Sequence, residues 1–174
     1  MKLVRWTRFN WNLAELPTPA PRLPDRYSLR QAHPEDAAEI KRVIFHAYSL
    51  DSAWCDSFAT VKDWLEFNID LMFERESIPG IVIQHGQRII GASVLATDVE
   101  AESHLISGPC ILMEYQNRGF GSTLLYYSLK QLAEVGLEQV AGITKDNVAV
   151  ARFLYPKFGS HSAPYQFEPG LART

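Results

Sequence analysis

Gln116-Asn117-Arg118-Gly119-Phe120-Gly121 places two glycines and a cation between the apolar run Pro109 to Met113 and a helical pattern that begins at Ser122. A buried strand, a glycine-bearing loop and a helix, in that order, present unpaired backbone N–H groups to an anion. Gly119 and Gly121 remove Cβ atoms where the backbone would touch a ligand, and Arg118 adds charge and donors beside it. The chemistry these residues could do is phosphate binding. The competing explanation is an ordinary strand-to-helix turn. Other glycine motifs fit worse: a dinucleotide fingerprint needs a third glycine where Leu124 stands, and no lysine follows to make a P-loop.

The segment Ile111 to Gly121 resembles the acetyl-CoA-binding signature of the GNAT superfamily of N-acetyltransferases, whose core is [QR]-x-x-G-x-[GA]. Further on, Asn147 with Ala151, Leu154, Tyr155, Lys157 and Gly159 resembles that family's second signature, and the two come in the family's order. The resemblance runs from about Tyr27 to the C-terminus. It implies acetyl-CoA as co-substrate, with no metal, and direct transfer of the acetyl group to a primary amine. By the same resemblance Gln116, Asn117, Arg118, Gly119, Phe120, Gly121, Ser122 and Thr123 hold the pyrophosphate. Pro109, Cys110 and Ile111 hold the pantetheine arm, Asn147 bonds that arm or caps its helix, and Tyr155 stands near the sulfur as the acid for the leaving thiolate.

Two departures from the family pattern concern catalysis. Many relatives carry a glutamate where Gly142 stands, and the spacing from Asn147 to Tyr155 is one residue longer than in many members. An alkylamine has a pKa near 10.4, so a base or a water chain must take its proton. His104 heads the remaining candidates, ahead of Glu102 and Glu114, because imidazole titrates in the right range; transfer with no side-chain base is the other expectation. Cys110 could carry a covalent acetyl group, but a small buried strand residue is the better explanation.

These residues need elements to position them. Tyr27, Leu29 and Gln31 alternate as a short strand, and Pro34-Glu35-Asp36 opens a helix whose inner face is Ile40, Val43, Ile44 and Ala47. Residues 50 to 59 read as a loop, followed by a helix from Val61 to about Glu74. By resemblance that loop overhangs the acceptor, which makes Trp54, Asp56 and Phe58 candidates for selecting it. Ile81 to Gln84 and Arg88 to Ala96 form a hairpin across His85-Gly86. Leu105 to Met113 is a strand that Gly108-Pro109 must interrupt, since proline gives no N–H to a ladder. The gap would free backbone groups near Ile111 for an extended, amide-bearing ligand such as pantetheine. A helix follows to Gly136, then a strand over Val140 to Thr144, a helix from Asp146 or Asn147 to Tyr155, and a final strand over Ser162 to Glu168.

The fold class expected is α/β: a GNAT-like mixed, bent central sheet with helices on both faces, in one domain over 27–174. Residues 1–26 read as an extra edge strand, rich in aromatics from Leu3 to Trp11, and an extended linker through Pro17, Pro19, Pro21 and Pro24. Trp6, Phe9 and Trp11 suit the core or a partner subunit in a homodimer, with packing inside the monomer the simpler expectation. A chain of 174 residues with 47% hydrophobic and 21% charged residues reads as globular. Its net charge of -3 argues against nucleic-acid binding. Two cysteines outside any CxxC pair point to reduced thiols in the cytoplasm rather than to a disulfide or metal framework. No run approaches the roughly 18 apolar residues of a membrane span. The acceptor would be a small-molecule or peptide amine. The rival readings are a module that binds acyl-CoA without turnover and an unrelated nucleotide-binding domain.

Overall fold

The alternating and apolar runs become strands in two antiparallel sheets. In one, the order is β2 (Tyr27–Gln31), β3 (Gly80–His85), β4 (Arg88–Val94), β5 (Cys110–Ile111). In the other, β6 (Gln139–Lys145) and β7 (His161–Tyr165) flank β1 (Trp6–Asn12). The computed structural model describes residues 4–16 and 20–169. Leu3, Pro17, Pro19 and residues 170–174 of the expectations above lie outside them.

The expected α/β architecture is present, with its bend taken to completion: the sheet is parted between β5 and β6. Residues 103–105 still bridge the gap at one end. The Ala141 carbonyl accepts from His104 N at 2.7 Å and Leu105 N at 3.3 Å, and Ile143 N donates to Ser103 Oγ at 3.2 Å. Beyond them the strands separate.

The N-terminal strand corrects the sequence reading. It is not an edge but the centre of its sheet, paired from Trp6↔Lys145 to Asn12↔Gln139 on one side and from Trp6↔Tyr165 to Asn10↔His161 on the other. Phe9 and Trp11 are buried in the core, which explains the aromatic richness without a partner subunit. Tyr127 Oη donates to the Pro21 carbonyl at 3.3 Å, fastening the linker to the third helix.

Among the described residues, three α-helices complete the fold: α1 (Ala37–Leu50), α2 (Phe58–Phe73) and α3 (Phe120–Glu134). The first starts where His33 N donates to Asp36 Oδ2 at 2.7 Å, and Arg30 clamps the same carboxylate with two bonds of 2.7 and 3.0 Å. Ile40, Val43 and Ile44 then face inward. In α3 the buried stripe is Leu124, Leu125, Leu129 and Leu132, each leucine contributing about 2–3 kcal/mol of burial. Its end is a Schellman turn: Leu137 N bonds the Leu132 carbonyl, Gly136 N bonds that of Ala133, and Gly136 has φ +101°. Both α1 and α3 pack on β4, which leaves the parted edge of β5 between them.

Candidate active site

The break in β5 begins at Gly108, whose φ of +65° is the left-handed conformation that glycine adopts without strain. Opposite the three steps from Ala92 to Leu95 the chain takes five, from Leu105 to Cys110. Ser107 patches the interruption: its hydroxyl accepts from Val94 N at 3.0 Å and donates to the Gly108 carbonyl at 2.7 Å. Past the break, Leu112 N bonds the Ile90 carbonyl at 2.9 Å, which makes Gly91↔Ile111 the non-hydrogen-bonded pair of the ladder. Ile111 therefore turns its polar groups away from β4, into the gap. Its carbonyl accepts from Gln116 Nε2 at 3.1 Å. Its N–H, like the Pro109 carbonyl, has no partner among the described residues.

At the next turn the backbone is again unspent. Gln116 N bonds the Met113 carbonyl, but the N–H groups of Asn117, Arg118, Gly119, Phe120, Gly121 and Ser122 have no acceptor among the described residues. The helix they open has no side-chain cap. Asn117 and Gly119 both take positive φ, 63° and 85°, so successive amides turn toward one concavity, the geometry of an anion nest. Asparagine is among the few side chains that tolerate this conformation. The dipole of α3 adds partial positive charge at the same point.

Gap and nest belong to one cleft of ≈ 390 Å³. Pro109, Cys110, Ile111, Gln116, Asn117, Gly119, Phe120, Gly121 and Ser122 line it, as does Tyr155 at the far end. Tyr155 is buried against Phe9 and Trp11, with ring centroids 5.0 Å away in each case. Its hydroxyl makes no hydrogen bond among the described residues. A Cβ built on Gly108 would come within 2.8 Å of that hydroxyl, so the absence of a side chain at Gly108 is what keeps the phenol next to the break. Burial, with Cys110 nearby, raises the Tyr155 phenol above its ordinary range, and it stays protonated at neutral pH. The extra residue between Asn147 and Tyr155 appears as a π-helical turn over Val150–Leu154, in which Tyr155 N reaches back five residues to the Val150 carbonyl at 2.8 Å. A π turn is how a helix absorbs one added residue without unwinding.

Of the residues expected to bind coenzyme A, together with the leading candidate base, four do not line the cleft: Arg118, Thr123, Asn147 and His104. The Arg118 guanidinium folds back on the Glu114 carbonyl at 3.0 Å and over the Tyr115 ring. Thr123 Oγ1 donates to the Gly119 carbonyl inside the first turn. Asn147 is exposed, and its side chain neither caps a helix nor bonds another described residue.

His104 is the clearest correction. Its Nδ1 accepts from Ala141 N at 3.0 Å, so the ring proton is on Nε2, which donates to the Asp98 carbonyl at 2.9 Å. Burial lowers its pKa further. A neutral imidazole bonded at both nitrogens is a strap between sheets. At Gly142, where many relatives carry the base, a Cβ would meet Leu105 Cδ1 at 3.1 Å and Leu105 Cβ at 3.3 Å, so a side chain there requires Leu105 to give by a few tenths of an ångström. Cys110 stays a thiol: burial pushes it up to about 12, and its Sγ donates to the Ser107 carbonyl at 3.5 Å.

The wall facing β5 comes from α1 and the loop after it. Tyr48 Oη donates to the Ser107 carbonyl at 2.8 Å, and Trp54 packs tilted against Tyr48, ring centroids 4.8 Å apart. Of the loop residues weighed from sequence, Trp54 lines the cleft, whereas Phe58 packs against Phe45 and Tyr48, and Asp56 pairs with the buried Lys145 of β6. Lys145 also bonds the Ala53 carbonyl and lies 5.4 Å over Trp54, so it ties this loop to the second sheet. Sequence reasoning missed Tyr48 and Asp51, both in the lining. The signal for Tyr48 was its place one turn beyond Ile44 on the buried face of α1; Asp51 gave none within a polar loop.

The sequence model described as the Acetyltransferase (GNAT) family matches residues 39–159. Among solved structures, an acetyltransferase of the GNAT family from Colwellia psychrerythraea aligns with TM-score 0.63 and 16% identity over 93% of this chain and 54% of its own. A GCN5-related N-acetyltransferase from Sphaerobacter thermophilus aligns with TM-score 0.61 and 15% identity, over 94% and 50%. A Drosophila protein aligns with TM-score 0.64 and 14% identity, over 92% and 48%. At these identities the likeness is one of fold, and this chain spans about half the length of those it matches. The curated proteins searched give no match. The family match covers well over half the chain and takes in the nest, the parted strand and Tyr155: the chain belongs to the GNAT acetyltransferase family.

Proposed function

We propose that this chain transfers an acetyl group from acetyl-CoA to a primary amine by direct attack. The observation that carries the reading is the continuity of unspent backbone groups. Six free amides from Asn117 to Ser122 lead to the free N–H of Ile111 and on to the unbonded hydroxyl of Tyr155. A diphosphate suits the nest and the dipole of α3. A pantetheine arm, with its two amides, suits the exposed edge of β5 as an added strand. The Gln116 side chain already holds the Ile111 carbonyl, so the N–H of Ile111 and the carbonyl of Pro109 are the groups left to engage the arm.

The reaction asks three things of these residues. Holding both reactants in one narrow cleft supplies proximity. The amine nitrogen bonds to the thioester carbon as the carbon–sulfur bond breaks. Tyr155, protonated and next to the break, gives its phenolic proton to the departing sulfur as it recovers, through water, the proton that the amine loses. His104 and Gly142 are not used: one is a strap and the other carries no side chain.

The test is calorimetric binding of acetyl-CoA, followed by thiol release with a panel of amines. Binding with amine-dependent thiol release supports the enzyme. Binding without release for any amine supports the rival, an acyl-CoA-binding module, which the lack of a carboxylate at Gly142 favours. Tighter binding of ATP or NAD than of acetyl-CoA would sink both.

A further inference from the structure

The cleft is lined by one formally charged side chain among the described residues, Asp51. It follows the last residue of α1 and sits on the wall that Tyr48 and Trp54 build. Oδ1 accepts from Ala53 N at 3.0 Å. The other carboxylate oxygen has no partner among the described residues, and neither lysine, arginine nor histidine lines the cleft near it. The neighbouring acid in the same loop shows the contrast: Asp56 is neutralised by Lys145. A half-buried carboxylate facing a cleft with no internal cation is electrostatically incomplete, and a cation arriving there completes it.

Position links Asp51 to the reacting end. Tyr48 accepts at its backbone carbonyl from Asp51 N at 3.4 Å, and both line the cleft with Tyr155. It bonds Ser107, next to Gly108, over which the Tyr155 hydroxyl stands. Asp51 thus belongs to the wall that Tyr48 joins to the break, where in the acetyltransferase reading the acceptor meets the thioester. The rings of Tyr48 and Trp54 give the same corner an apolar wall.

Building on the acetyltransferase reading, we infer that Asp51 selects the acceptor. It binds the acceptor's ammonium group, and the acceptor class is a cationic amine with an apolar or aromatic body and no carboxylate or phosphate of its own. An acceptor bearing an anion would bring that charge to a cleft whose lining offers it no cation and already holds one unpaired carboxylate. Discrimination therefore comes from repulsion as much as from attraction.

Matched amines test this, with the chain saturated with coenzyme A for binding and supplied with acetyl-CoA for turnover. Tyramine against tyrosine, and cadaverine against lysine, differ only by a carboxylate. In calorimetric titration the decarboxylated member of each pair binds at least about tenfold more tightly, the scale of one hydrogen-bonded charge. Asp51→Asn keeps the cap on Ala53 N, yet it removes most of that preference. It raises KM for tyramine and cadaverine about tenfold with a smaller change in kcat and none in acetyl-CoA affinity, and Asp51→Glu restores part of the loss. Equal binding within each pair, an unchanged preference in Asp51→Asn, or no binding of either amine overturns the inference. Failure of acetyl-CoA to bind overturns the acetyltransferase reading instead, and the amine titrations, run without coenzyme A, then decide whether Asp51 binds a cationic amine.

Discussion

Along β5 and the first turn of α3 the cleft is lined by backbone groups with spare hydrogen-bonding capacity. Across from it, from Tyr48 to Trp54 and at Tyr155, it is lined by side chains held by contacts far away in sequence. The first wall is local. Gly108-Pro109 breaks the strand, and Asn117 and Gly119 turn the amides, all within a dozen residues of chain. The second wall is assembled at long range: Phe9 and Trp11 of the N-terminal strand support Tyr155, and Lys145 of β6 holds the loop that carries Trp54. A wall of backbone amides offers hydrogen bonds that do not depend on which side chains the sequence carries. A wall of side chains is where one member of a family can differ from another.

The largest expected effect is on the side-chain wall. Tyr155→Phe keeps the ring against Phe9 and Trp11 but removes the acid, and kcat falls by about 10²–10⁴-fold while calorimetry finds acetyl-CoA affinity unchanged. The pH profile sharpens the assignment. A phenol whose pKa is raised stays protonated further into alkali. So kcat/KM for an alkylamine climbs as the free amine becomes available, with no fall below about pH 10, the ordinary tyrosine value. A descending limb near neutrality would remove Tyr155 from the acid role.

On the backbone wall the matching experiment removes an amide rather than a side chain. Ser122 is the third residue of α3, where proline is tolerated because its N–H has no helical partner. Ser122→Pro deletes one donor from the nest. Acetyl-CoA affinity falls about tenfold or more, the scale of a hydrogen bond to a charged group, and kcat at saturation changes little. Unchanged affinity would mean that the diphosphate does not sit on these amides.

The same contrast explains what the sequence made legible. The glycine loop, the hairpin, the inner faces of α1 and α3 and the break at Gly108-Pro109 were readable because each is set by neighbours a few residues apart. The central place of β1 was not. Alternation of aromatics shows that a stretch is a strand, but says nothing of which strands will close on both its sides. His104 looked like a base because histidine titrates near neutrality, and only the tertiary bonds to Ala141 and Asp98 show that both nitrogens are spent. Asp51 was invisible for the converse reason: its role depends on an absence of cations across the cleft, a property of the folded lining and of no local motif.

A smaller effect is expected where the loop is tied to the second sheet. Lys145→Met leaves Asp56, which water can reach, whereas Asp56→Ala leaves a buried ammonium with only the Ala53 carbonyl and the Trp54 face. Removing the partner of a buried charge is the costlier change. Asp56→Ala therefore lowers Tm more than Lys145→Met. Both raise KM for the amine, since each loosens the wall that carries Trp54, and neither changes acetyl-CoA affinity. The reverse order of melting temperatures would show that Lys145 is not isolated from water in solution.

The smallest effect is expected from a deletion. The residue added between Asn147 and Tyr155 is absorbed by the π turn, so that Tyr155 still packs on Phe9 and Trp11 with its hydroxyl over Gly108. Arg152 is exposed within that turn, and its side chain has no partner among the described residues. Deleting it lets the Tyr155 N–H find its acceptor four residues back, as in an ordinary α-helix, and removes the strain of the wider turn. The ring contacts of Tyr155 favour its present place, so the shortened helix keeps the phenol at the break and kcat falls by less than about tenfold. Loss of activity comparable to that of Tyr155→Phe would show instead that the π turn itself aims the hydroxyl. The side-chain wall would then depend on a local irregularity of the helix as much as on its long-range supports.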